Sequence, residues 1–129
     1  MVKKNKKIKN ATPHEHDGIK FRSKLEVFTY TEFIKNGIKL DYEPMAFELI
    51  PSFVFNGKKI RPMTYTPDFL HNDFVIECKG FGNDVWPIKE KLFKWLLSKK
   101  NINLDFYVVK NQKEVLAAIE EIKKKLSLT

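Results

Sequence analysis

Thr64 to Gly80 reads Thr-Tyr-Thr-Pro-Asp-Phe-Leu-His-Asn-Asp-Phe-Val-Ile-Glu-Cys-Lys-Gly, and no other stretch limits the possible folds as much. Two runs of aromatic and branched residues, Tyr65 to Leu70 and Phe74 to Lys79, flank the polar break His71-Asn72-Asp73, the pattern of strand, turn and strand. With Asn72 and Asp73 as the two loop residues, position 71 faces 74 and Asp68 faces Glu77. Side chains alternate across a strand, so Val75, Glu77 and Lys79 are expected on one face, the chemical one, and Phe74, Ile76 and Cys78 on an apolar one. Like charges opposite each other in an antiparallel pair repel, with Cβ atoms roughly 5 Å apart. A divalent cation between the carboxylates offsets that cost. Mg²⁺ is the expected ion, with Mn²⁺ as a substitute, because Mg²⁺ is usually held by one or two carboxylates plus waters and phosphate oxygens. The missing ligand is then expected to be a phosphate.

At 129 residues and 43% hydrophobic, with eleven Phe, the chain has enough apolar material for one folded domain without disulfides or structural zinc. The 24 basic and 16 acidic residues leave a net charge of +8. Lys3, Lys4, Lys6, Lys7 and Lys9 carry five of those positive charges with no acid among them, so the excess sits mostly on an N-terminal arm. Such an arm suits nucleic-acid phosphates, and equally a solvated tail or a localisation signal. No apolar run of about 18 residues is present, and Met1 to Asn10 lacks the apolar stretch of a secretory signal, so a cytoplasmic protein is expected. The single Cys78 has no partner for a disulfide or a Cys-x-x-Cys zinc site and is expected to pack in the core.

Residues 1 to 16, His14 and His16 included, show no hydrophobic period and are expected to form a flexible basic arm ahead of one domain over 17–129. Ser23 is a helix N-cap candidate, and Gly37 closes the first helix at C′. The helix's apolar stripe reads Val27, Tyr30, Phe33 and Ile34, with Glu26 beside it. Ser23-x-x-Glu26 is also a capping-box pattern, so two roles for Glu26 are open at this point. Leu40 to Glu43 and Phe47 to Phe55 read as extended. Asn56-Gly57 is a hairpin signal that pairs Phe55 with Lys58 and Phe53 with Ile60. Pro67 cannot donate to a ladder, which points to an edge strand or a bulge beside Asp68. Gly80-Phe81-Gly82 is a loop in which backbone can approach a ligand. Asn83 or Asp84 is expected to cap a second helix buried along Ile88, Leu92, Trp95 and Leu96, leaving Lys89, Lys91, Lys94, Lys99 and Lys100 as a basic outer face. Asp105 to Val109 has strand character, and Asn111-x-x-Glu114 opens a third helix buried along Val115, Ile119, Ile122 and Leu126. The order is helix, three strands, helix, strand, helix. A last strand reached through a crossover helix is expected to run parallel to its neighbour, giving an α/β fold with a central mixed sheet flanked by helices.

The set of Glu26 on a first helix, Pro67-Asp68 on one strand and Glu77-x-Lys79 on the next resembles the PD-(D/E)XK nuclease superfamily. More closely, Asp17 to Glu26 (Asp-Gly-Ile-Lys-Phe-x-Ser-Lys-x-Glu), Thr64 to Phe69 (Thr-Tyr-x-x-Asp-Phe) and Glu77 to Gly80 are similar to motifs of small phage and prophage proteins, and the Glu, Asp, Glu-x-Lys arrangement resembles phage endonuclease I. The resemblance covers roughly residues 17 to 110. It implies a restriction-endonuclease-like αβββαβ core with an extra C-terminal helix. It implies Mg²⁺ held by Asp68, Glu77 and the Cys78 backbone carbonyl, Lys79 at the attacking water or the transition state, and Glu26 completing the metal site, at a second ion or through water.

The activity expected is Mg²⁺-dependent hydrolysis of DNA phosphodiesters at branched DNA, as in Holliday junction resolvases active in recombination. Lys79 lies about 6 to 7 Å along the strand from Glu77, close enough for its ammonium to stabilise a pentacovalent phosphate. A junction resolvase cuts two strands with one site per chain, so a two-fold homodimer is expected. The expected DNA contacts are Lys3, Lys4, Lys6, Lys7, Lys9, Lys89, Lys91 and Lys94. Two other readings are a nickase or repair-type nuclease of the same fold and a DNA-binding module without catalysis.

Overall fold

The structure is a computed structural model and describes residues 14–79 and 85–127. The arm lysines, the Gly80-Phe81-Gly82 loop and the capping candidates Asn83 and Asp84 lie outside them. Among the described residues the chain is a mixed α/β protein with a mixed sheet and three α-helices, grouped into two compact units. One unit comprises residues 1–40 and 109–129 and the other 41–108.

The first unit opens with a short hairpin of β1 (Glu15–His16) and β2 (Ile19–Lys20), turned at Asp17-Gly18 where both residues take positive φ. Residues ahead of the boundary expected at residue 17 make contacts with this unit: the His16 ring meets the Tyr30 ring edge-on at 6.0 Å, and the Phe21 N–H donates to the His14 carbonyl. Helix α1 (Lys24–Lys35) starts at Ser23, whose hydroxyl accepts from the Glu26 N–H at 3.1 Å. The helix ends in a Schellman motif. Gly37, at φ 76°, donates its N–H to the Ile34 carbonyl, and the Ile38 N–H donates to the Phe33 carbonyl.

The buried face of α1 is Glu26, Thr29, Tyr30 and Phe33, rotated from the expected stripe, and Ile34 is exposed. The spacing i, i+3, i+4, i+7 is kept, with two polar residues inside it. Thr29 can be buried because its hydroxyl bonds the Leu25 carbonyl at 2.8 Å. Helix α1 packs against helix α3 (Gln112–Ser127), which buries Val115, Ala118, Ile119 and Ile122, with Ala118 in place of the expected Leu126. Asn111 caps α3 by accepting from the Glu114 N–H at 2.9 Å.

The second unit holds most of the strands. β3 (Asp41–Tyr42), β8 (Phe69–Leu70), β9 (Phe74–Cys78) and β10 (Asp105–Val109) form one four-stranded sheet in the order β10-β9-β8-β3. The β3–β8 and β8–β9 pairs are antiparallel. β10 enters beside the start of β9, where the Asp105 N–H donates to the Asp73 carbonyl, and runs parallel to it as the crossover predicts.

The chain between β3 and β8 forms two further ladders: β4 (Phe47–Ile50) with β7 (Met63–Tyr65), and β5 (Phe53–Phe55) with β6 (Lys58–Ile60). The register shift falls between Glu48 and Ile50, not beside Asp68. At Pro67 the chain does something other than the expected bulge or edge: the run from Tyr65 to Leu70 is split into β7 and β8, in different ladders, with fully buried Pro67 in the gap and β8 inside its sheet. A residue with no N–H fits where a ladder is interrupted.

Helix α2 (Trp86–Lys99) lies against β4. Its N-cap is Val85, without a side-chain capping bond, and Pro87 sits in the first turn. The buried stripe is Phe93, Leu96 and Leu97, whereas the expected Ile88 and Trp95 are exposed at 56% and 52%. The Phe93 ring decides this rotation. It meets Phe47 at 5.1 Å, Tyr65 at 4.8 Å and Phe106 at 5.0 Å, and joins Leu49, Val75, Leu96 and Leu97 in the core.

Candidate active site on the β8–β9 hairpin

The register pairs Phe69 with Ile76 and Leu70 with Val75, and the His71 N–H closes the loop onto the Phe74 carbonyl at 2.9 Å. Carried one pair the other way, it sets Asp68 opposite Glu77, as the turn chemistry predicted. The hairpin is not a surface feature. Phe69, Val75 and Ile76 have no solvent exposure and Phe74 has 2%.

Beyond the Phe69–Ile76 pair, side chains extend the backbone ladder. Asp68 gives its carbonyl to the Glu43 N–H at 2.9 Å on the β3 side, while its carboxylate Oδ2 accepts from the Cys78 N–H at 2.7 Å on the β9 side. The carboxylate is thus pinned against the Glu77-Cys78 peptide. With 8% exposure it is a buried acid, and burial of a carboxylate is tolerated only where donors or cations meet it.

Glu77 is half-buried, and its Oε1 accepts from the Tyr65 hydroxyl at 2.5 Å. Tyr65 comes from β7, just before the break at Pro67. Burial pushes its phenol above the ordinary value; the Glu77 charge and hydrogen bond push it further, and Asp68 and Cys78 add to the effect. The phenol therefore stays neutral and can keep donating to Glu77.

Lys79 follows Glu77 by two residues and holds its ammonium 5.5 Å from the centre of the Trp86 ring. Trp86 packs against Tyr65 at 5.6 Å. The face carrying Val75, Glu77 and Lys79 is therefore lined with aromatic rings as well as charge, since Val75 lies in the same cluster as Tyr65 and Phe93. Cys78 is half-buried.

Asp68 and Glu77 are the hard oxygen donors that suit Mg²⁺. Each carboxylate oxygen has two lone pairs, so the hydrogen bonds to Cys78 and Tyr65 are compatible with further coordination. Among the described residues no group of three or more His, Cys, Asp or Glu side chains is arranged to hold a metal ion, so any such site would draw on two carboxylates with backbone, water or phosphate oxygens.

Glu26 belongs to the first unit, while Asp68, Glu77 and Lys79 belong to the second. Glu26 is 5% exposed, and its Oε1 accepts from the Arg22 N–H at 2.8 Å, which is the capping-box role reaching one residue further back than usual. Lys91 and Lys94 are exposed on α2, Lys89 is half-buried, and Lys94 is paired with Glu90 at 3.2 Å.

Tyr65 is the site residue to which sequence reasoning assigned no role. The signal was present in Thr64-Tyr65-x-x-Asp68, but an aromatic at strand spacing reads first as core. No helix among the described residues is long and apolar enough to cross a membrane. No curated protein and no solved structure matches the chain. A family model does match, over residues 5–116, and the chain belongs to the family described as "Protein of unknown function (DUF1064)".

Proposed function

We propose that this chain is a metal-dependent DNA endonuclease that hydrolyses phosphodiester bonds, with branched DNA as its substrate and a two-fold dimer as its working form. The observation that carries the reading is the meeting of Asp68 and Glu77 across one hairpin, with Lys79 two residues further on. Further support comes from the element order. With the β1–β2 hairpin and β4 to β7 set aside, the elements follow one another along the chain as α1, β3, β8, β9, α2, β10, the succession expected of an αβββαβ restriction-endonuclease-like core.

Asp68 and Glu77 would hold Mg²⁺. Bound there, the ion supplies charge withdrawal from a phosphate oxygen and acidification of a water. Asp68 is kept in place by the Cys78 N–H, so its position depends on backbone rather than on a mobile partner. Tyr65 is a positioning residue that fixes the Glu77 rotamer through its hydroxyl. Lys79 brings a positive charge on the Glu77 strand for the charge that accumulates on phosphorus-bound oxygens, and the Trp86 ring steadies that ammonium.

The test is incubation of the full chain with labelled duplex, flap and four-way junction DNA in Mg²⁺ or in EDTA, beside Asp68→Asn. Paired symmetric nicks on the junction, lost in EDTA and in the variant, are the expected result. Cutting of duplex or flaps alone would keep the chemistry and remove the junction preference. No cutting under any condition would overturn the enzyme reading.

A further inference from the structure

We infer that the β5–β6 hairpin is an arm that engages DNA through unpaired bases, with its rings stacking on the bases and its cations on the flanking phosphates. The choice of DNA rests on the nuclease reading; the choice of a nucleic acid rests on the arm itself. Every residue of β5 and β6 is exposed, with Phe53 at 47%, Val54 at 70%, Phe55 at 63% and Ile60 at 38%. A two-stranded hairpin is marginal by itself, and a contiguous exposed apolar surface of this kind marks an interaction site.

The register makes the arm two-sided. Phe53 pairs with Ile60 and Phe55 with Lys58, so Phe53, Phe55, Lys58 and Ile60 share a face, while Val54 and Lys59 share the other. Arg61 follows directly. No acidic residue occurs between Glu48 and Asp68, so Lys58, Lys59 and Arg61 form an uncompensated positive segment.

Charge selects the occupant. A second copy of the arm would set like charges against each other, which opposes pairing. A lipid bilayer would have to take the tip first, and the tip Asn56-Gly57 is followed at once by Lys58 and Lys59, residues among the most costly to insert. A polyanion with flat apolar faces meets both demands: phosphates for the three cations, bases for the two Phe rings. Bases within a duplex are already stacked, so unpaired ones are the match.

The test is fluorescence anisotropy of the full chain with a labelled single-stranded oligonucleotide and with a blunt duplex of the same sequence, in EDTA so that no strand is cut. Phe53→Ala with Phe55→Ala is expected to weaken single-strand binding about tenfold or more while leaving duplex binding unchanged. Lys58→Ala, Lys59→Ala and Arg61→Ala together are expected to lower the dependence of log affinity on log salt by about 2. Circular dichroism melts are expected to match wild type, since the side chains removed are exposed.

Single-strand affinity unchanged in both variants would overturn the inference. So would loss of binding to phosphatidylserine vesicles, or of a dimer in sedimentation, with oligonucleotide binding intact. If the chain cuts no DNA in Mg²⁺ while the arm variants still lose binding, the nuclease reading fails and the arm's engagement of unpaired nucleic-acid bases stands; cutting with arm variants that bind normally gives the reverse.

Discussion

The second unit contains two hairpins with two-residue loops, and they serve opposite ends. In β8–β9 the loop Asn72-Asp73 stays out of the positive-φ region, the strands are buried, and the polar groups are carboxylates held by Cys78 and Tyr65. In β5–β6 the loop Asn56-Gly57 takes φ of 51° and 76°, the strands are exposed, and the charges are cations. A hairpin that relies on its turn can project into solvent, because the paired positive φ values of a type I′ loop match the strand twist. One that relies on burial can carry chemistry that water would weaken, since charges interact more strongly away from solvent.

Substitutions that erase or deepen this contrast can be ranked. Phe69→Ala, in the buried hairpin, is expected to cost about 3 to 5 kcal/mol in urea denaturation, because a ring without exposure leaves a cavity. Asp68→Asn or Glu77→Gln is expected to lower Mg²⁺-dependent cleavage by about 10² to 10³ with the fold retained, measured in single-turnover assays. Retained cleavage would reduce the carboxylate pair to a structural feature.

Tyr65→Phe is expected to cost about 1.5 to 3 kcal/mol, the worth of a hydrogen bond to a charged group. It also carries a pH signature. The folded chain keeps the Tyr65 proton above the pH near 10 at which an unfolded tyrosine loses it. Its contribution is complete below pH 10 and is lost as pH rises, by at most about 1.4 kcal/mol per pH unit. Denaturation midpoints across pH 9 to 11, with Tyr65→Phe flatter than wild type, would check the sign.

Gly57→Ala meets nothing within 4 Å but must hold φ of 76°, at a cost of about 1 to 2 kcal/mol. Faster amide exchange confined to β5 and β6 is expected, with global unfolding unmoved. Phe55→Ala should change stability by less than about 0.5 kcal/mol, since its ring is exposed. A larger effect would mean that the arm is part of the folded core, and the contrast with Phe69 would disappear.

Local chemistry made much of this architecture legible in the sequence. The 71–74 and 55–58 pairings, the Ser23 and Asn111 caps and the Gly37 terminus all follow from hydrogen bonds between residues close in the chain, where turn and cap residues have few geometries available. The opposition of Asp68 and Glu77 is of this kind too, since a two-residue loop fixes the count along both strands.

Burial was decided elsewhere. Val27 and Ile34 are as apolar as residues in the observed stripe of α1, yet the packing of α1 on α3 accompanies a face that includes Glu26 and Thr29. Phe93 faces the Phe47, Tyr65 and Phe106 rings, and that turns Ile88 and Trp95 outward. Tyr65 became a partner of Glu77 only because β7 and β9, nine residues or more apart along the chain, meet in space. Pairing registers and helix ends were thus written in neighbouring residues. The direction each helix faces, and the proton donor that the acidic pair acquires, depended on contacts between distant segments, which a one-dimensional pattern does not encode.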